Sequence, residues 1–167
     1  MATWITHLRI AENMLGLIPG LVEEEFAVGN IAPDSGIPDE KWEKFTPPNE
    51  VTHFKISTGT LYHLADLEFY RKHLERFISQ NKQPGQYSFL LGYFFHLVTD
   101  NLWNEIISQP TYKRYKNQFD ADRSFIWEVK KDWYGLDFEY VRDHPDSLYW
   151  RTFLHCKYPI NYSTFAA

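Results

Sequence analysis

A chain of 167 residues is long enough to bury roughly 70% of the surface its unfolded form exposes, so a sizeable core is available. The formal net charge of −5, with Lys and Arg clustered nowhere, excludes a general nucleic-acid-binding surface, because counterion release needs concentrated positive charge. The single Cys156 excludes an internal disulfide, and no apolar run approaches the ~20 residues a membrane-spanning helix needs. Met1 to Gly20 also lacks the basic region, apolar run and small-residue cleavage site of a secretory signal, which makes a cytoplasmic location the expectation.

Trp4, Leu8, Ala11, Leu15 and Ile18 recur at helical spacing behind Thr3 as N-cap, which predicts a first amphipathic helix broken at Gly20. Leu21 to Val28 predicts a second short helix that Gly29 ends as a C-terminal cap. Asn30 to Asn49, with Pro33, Pro38, Pro47, Pro48 and Gly36, predicts a long surface loop. Thr60 to Gln80 predicts a third helix, its apolar side carried by Leu61, Leu64, Leu67, Leu74 and Ile78. Tyr87 to Ile107 is apolar on every face as far as Val98, the pattern of a helix surrounded by others. Asp120 is placed to cap a helix to about Tyr134, and Pro145 to start a last one through His155. No strand-like alternation of useful length is evident. The expectation is a single all-α domain over residues 1–167, a bundle of six or seven helices around a central one.

The central segment "LLGYFFHLVTDNLW" interrupts its apolar run with His96 and Asp100, four residues apart and therefore on one helix face. Gly92, one turn earlier, leaves space beside them. A carboxylate in such a helix protonates or costs several kcal/mol unless paired. No Lys or Arg lies between Lys82 and Lys113, so a divalent cation ligated by both groups is one solution and a side chain from elsewhere is the other. His7, on the border of the first helix's stripe, and Asp34 and His53, within and just after the long loop, are further candidate ligands. By default a core-facing His is simply hydrogen-bonded, and an Asp after Pro is a turn residue.

"TWITHLRIAE", "GNIAPDSG", "VTHF" and "GYFFHLVTDNLW", in that order, resemble the zinc-dependent phospholipase C family, itself akin to single-strand-specific fungal-type nucleases. The resemblance implies an all-α bundle with a metal centre in its middle. It implies that His7, Asp34, His53, His96 and Asp100 are the metal ligands, with Asp100 bridging two zinc ions. The implied cofactor is zinc, one or two ions, with iron, nickel or manganese as other occupants of a His/carboxylate site. The implied activity is hydrolysis of phosphate mono- or diesters on an activated water, with Asp34 as ligand and proton acceptor.

The sequence departs from the family pattern in three ways, one being that many relatives are secreted enzymes acting on lipid, whereas this chain shows neither a signal nor a cationic amphipathic membrane face. In the secreted phospholipases a Trp is the first residue and ligates zinc through its amino group and carbonyl, whereas Met1, Ala2 and Thr3 precede Trp4 here. The downstream H-x-x-x-E of a third zinc is missing; Glu128 and Asp132 have the spacing, against a default of acids on a solvated helix face. His63, His73 and His144 have surface or packing roles, and His155 with Cys156 points about 100° apart on a helix, poorly for joint ligation. Trp4, Phe54, Tyr62, Tyr93 and Trp103 belong to the core, some walling a cleft. The expected function is a metal-dependent hydrolase of small phosphate esters, with no stable nucleic-acid binding and an oligomeric state the sequence leaves open. The alternative is a non-catalytic helical module in which the metal is structural.

Overall fold

The computed structural model describes residues 1–41, 44–58, 61–75 and 84–156. Helix α1, Trp4–Leu17, starts as expected: the Thr3 hydroxyl accepts from the Thr6 N–H at 3.2 Å, and Gly20, at φ +82°, turns the chain after it. Helix α2, Glu23–Ile31, packs along the central helix, Pro84–Trp103, which buries Leu90, Leu91, Tyr93 and Leu97 together with His96 and Asp100. Phe26, Ala27, Leu8, Ala11 and Phe69 complete the core around this pair. The protein is an all-α multi-helix fold, and among the described residues no helix is long and apolar enough to cross a membrane.

Gly29 does not end α2. The helix runs through it, because a Cβ there would sit 2.1 Å from the Phe89 carbonyl oxygen of the central helix. Gly92 does the same from the other side, where a Cβ would lie 2.4 Å from the Phe26 carbonyl oxygen and 2.9 Å from the Asn30 nitrogen. Both glycines serve close backbone approach.

The stretch after α2 is more ordered than a loop. A 3₁₀ turn, Ala32–Asp34, continues the helix; Ile37–Pro38 pairs antiparallel with Phe45–Thr46; and one helical turn, Asn49–Thr52, leads to His53. The expected third helix is also corrected at its start. Lys55–Thr58 and Leu61–Leu64 form an antiparallel hairpin, and the helix begins only at Asp66, with a π-turn over Tyr70–Leu74; residues 76–80 of the expectation lie outside those described. Leu61 and Leu64 fit a helical stripe equally well, and pairing with the preceding strand decides between the two.

Further on, the cap is Asp122 rather than Asp120. Its carboxylate accepts from the Ser124 N–H at 2.8 Å, while Asp120 pairs with Lys116 at the surface. The helix that follows, Ile126–Asp143, is the outer helix of the fold, and a short turn of helix, Leu148–Arg151, precedes the end of the described chain. The outer helix is tied to α1 by the Tyr140 hydroxyl on Glu12 at 2.9 Å and by Arg9 stacked 4.3 Å from the Tyr140 ring.

Gly29→Ala is expected to cost about 3 kcal/mol or more in urea denaturation, since backbone atoms must part. Gly135→Ala on the outer helix, where a Cβ meets nothing within 4 Å, is expected to stabilise by about 0.5–1 kcal/mol.

Candidate metal centre

Five polar side chains converge where α1, the 3₁₀ turn, the His53 turn and the central helix meet. His7, His96 and Asp100 are fully buried, and His53 and Asp34 are nearly so. His96 and Asp100 face each other one turn apart, with Nε2 3.6 Å from Oδ2. His53 enters opposite, its Nε2 3.1 Å from Asp34 Oδ1, 3.3 Å from His96 Nε2 and 3.8 Å from Asp100 Oδ2. From α1, His7 stacks on His96 with centroids 3.9 Å apart and turns Nε2 toward Asp100 Oδ1 at 3.5 Å, too long for a good hydrogen bond. The two oxygens of Asp100 thus look to two sides of the cluster, Oδ1 to His7 and Oδ2 to His53 and His96.

The partners behind these groups set their orientation. His96 Nδ1 lies 2.7 Å from the Asn30 carbonyl oxygen, which can only accept, so Nδ1 carries the proton and the Nε2 lone pair faces the cluster. His53 Nδ1 lies 3.0 Å from the Thr52 hydroxyl, and the Thr52 carbonyl in turn accepts from the Tyr93 hydroxyl. Phe54, next along, sits at φ +49°, a strained conformation for an aromatic residue. It is held there by edge-on packing against Phe69 at 5.1 Å. On the other side of the cluster the Ala2 N–H donates to Asp100 Oδ1 at 2.7 Å.

Two triads of side chains, His7/His96/Asp100 and Asp34/His53/His96, each bring three potential ligand atoms within 4.8 Å of one another and share His96. Both nitrogens of His7 and Oδ2 of Asp100 are buried without a hydrogen-bond partner. Among the described residues no Lys or Arg pairs with Asp34 or Asp100. Orphaned lone pairs, two carboxylates and three imidazoles within a few ångströms make a donor set that fits a divalent cation.

The protonation states agree with ligation. Burial, and then the neighbouring His7, pull His96 down to about 3, so the imidazole stays neutral. Burial alone raises the carboxyls of Asp100 and Asp34. The facing imidazoles outweigh it, His7 first for Asp100 and His53 first for Asp34, and hold both below the usual carboxylate range.

Glu128 and Asp132 are not brought to this cluster: both are exposed on the outer helix, and Glu128 pairs with Lys131 at 2.7 Å. The Cys156 thiol is pushed up to about 11 by burial and by Glu24, unlike a metal-binding thiol, and His155 is exposed. Sequence patterns did not single out Asn30, Thr52 or the Ala2 amide. The only trace of Asn30 and Thr52 is a polar residue inside an apolar stretch and one directly before His53.

The Asp34 edge of the cluster opens into a cavity of about 590 Å³. Trp4, Trp127, Tyr134 and Phe138 supply much of its wall, with Lys130 and Asp137 among its few polar residues. Trp4 is thus one of the aromatic residues that wall a cleft.

The structure defines a helical fold enclosing a His/carboxylate cluster able to hold a metal ion, open on one side to an aromatic-walled cavity. The family model described as zinc dependent phospholipase C matches residues 6–131, and the chain belongs to that family. Comparison with curated proteins and with solved structures finds no significant match.

In the metal-free protein, His96 ionises near pH 3 when folded and near 6.5 when unfolded. A depressed value gives stability that is full above 6.5 and lost as pH falls toward 3, and Asp34 and Asp100 add to the loss below about 4. The urea midpoint of chelator-treated protein is therefore expected to fall steadily from pH 6.5 downward. His96→Asn, which stays neutral, is expected to flatten the upper part of that decline.

Proposed function

We propose that the chain is a metal-dependent hydrolase of small phosphate esters, with His7, Asp34, His53, His96 and Asp100 holding one or two zinc ions. The observation that carries this reading is the open edge. A structural zinc site is closed by four protein ligands, whereas this cluster presents Asp34 to a cavity large enough for a small organic molecule. Membership of a zinc-dependent family supports the metal, and two buried carboxylates beside three imidazoles support its charge.

Zinc bound among these ligands would supply Lewis acidity toward a phosphoryl oxygen and lower the pKa of a water molecule. The protein's own residues do the rest. Asn30, through its carbonyl, keeps the Nε2 lone pair of His96 aimed inward, and the Thr52 hydroxyl holds the orientation of the His53 ring through Nδ1. Asp100 offers one oxygen to each side of the cluster, as a shared ligand must. Asp34 stays ionised while its carboxylate lines the cavity, so it is placed to take a proton from the attacking water. The rings of Trp4, Trp127, Tyr134 and Phe138 offer the open cavity apolar surface for the organic part of an ester.

Protein purified without metal-charged resin is expected to carry one or two zinc ions per chain by elemental analysis and to melt higher on zinc addition. Protein that takes up no transition metal and shows no thermal shift would sink the reading. Asp100→Asn is expected to lose metal together with activity. Asp34→Asn is expected to lower kcat on phosphate esters by about 10²–10⁴ with the helical signal unchanged. Full metal occupancy without turnover of any phosphomono- or diester would assign the metal a structural role.

A further inference from the structure

Among the described residues Lys130 pairs with no carboxylate. On the outer helix its neighbours at three and four residues are Ile126, Trp127, Trp133 and Tyr134, none of them acidic. Among the described residues it makes no ion pair, and its ammonium lies 5.0 Å from the centroid of the Trp127 ring. The adjacent Lys131, one helical step round, behaves conventionally and pairs with Glu128 on the solvent side. Lys130 is half-buried and stands on the wall of the same cavity that Asp34 enters.

Asp137, two turns further on and on the same wall, does not neutralise it. That carboxyl is buried, is hydrogen-bonded to the Thr3 side chain and faces Arg9, and burial pushes its pKa up. The cavity wall therefore carries an ammonium without an ion-pair partner among the described residues, over the Trp127 ring, at one position and the Asp34 edge of the cluster at another. A ligand that suits both is a small anion carrying an apolar group.

Resting on the phosphate-ester reading above, we propose that Lys130 is the substrate-anchoring residue of this cavity: it holds a phosphoryl oxygen while the ester's organic group lies on Trp4, Trp127 and Phe138. The preferred substrate class is accordingly a phosphomonoester of an apolar or aromatic alcohol. A monoester dianion gains more from the added positive charge than a diester monoanion, and a single apolar substituent finds a matching wall. An ammonium that donates a charge-assisted hydrogen bond contributes on the order of tenfold to a hundredfold in affinity.

The test uses the zinc-loaded full chain, with Lys130→Gln and Lys130→Arg beside it. Inorganic phosphate binding is measured by calorimetry, and turnover with 4-nitrophenyl phosphate and bis(4-nitrophenyl) phosphate. Lys130→Gln is expected to weaken phosphate binding at least tenfold and to raise KM for the monoester by a similar factor. KM for the diester is expected to change less than threefold, Lys130→Arg to restore most of the loss, and zinc content and melting temperature to stay as in the unsubstituted protein. Lys130→Gln that keeps its zinc, binds phosphate and hydrolyses the monoester unchanged would overturn the proposal and leave the hydrolase reading standing. Zinc-loaded unsubstituted protein that neither binds phosphate nor hydrolyses either ester would overturn both.

Discussion

Everything in this molecule is arranged around a carboxylate that the hydrophobic core has no ordinary means of keeping. Asp100 is fully buried in the middle of the fold, beside three imidazoles and a second carboxylate, with no Lys or Arg paired to it among the described residues. Left alone, a buried ion of this kind loses its hydration and either protonates or unfolds its surroundings. The surrounding hydrogen bonds leave the cluster with groups able to hold a cation. They occupy the outward nitrogens of His53 and His96 and one Asp100 oxygen, and leave His7 and the other Asp100 oxygen unpartnered.

Packing and site are consequences of the same close approach. The glycines at 29 and 92 let α2 and the central helix touch backbone to backbone, and that contact brings the Asn30 carbonyl within 2.7 Å of His96. A thicker interface would move the carbonyl away and free the imidazole to rotate. On the opposite side the strained Phe54 backbone and the Tyr93–Thr52 bond carry His53 into place, so that aromatic packing, rather than loop chemistry, sets its direction. Stability and ligand geometry are thereby coupled through the same few contacts.

The outer helix gives the cluster its access. Its phase divides its polar residues: Glu128 and Lys131 pair in solvent, while Lys130 and Asp137 face the cavity with the aromatic rings. One residue of helical rotation separates a conventional surface ion pair from an ammonium set over the Trp127 ring on the cavity wall. The cavity's character therefore depends on how this helix is set against α1, through Glu12, Arg9 and Tyr140.

Much of this was legible in the chain alone. Helical periodicity located α1 and the central helix, and the spacing of His96 and Asp100 marked a polar pair where the pattern demanded core. Local chemistry suffices for those features, because helix formation and face sharing depend on residues three and four apart. The ordered blocks that resemble a known family pointed to His7, Asp34 and His53, residues that composition by itself would leave as a core histidine, a turn and a loop. Contacts distant in sequence decided the remainder. Gly29 looked like a helix stop and is a helix contact, because its neighbour is Phe89; Leu61 and Leu64 looked helical and are a strand, because Lys55–Thr58 lies beside them. Asn30, Thr52 and the Ala2 amide acquire their roles only by meeting His96, His53 and Asp100 across the fold. A single sequence records which residues carry a lone pair or a charge, but the backbone approach of two helices determines which lone pairs converge and which side of the cluster stays open.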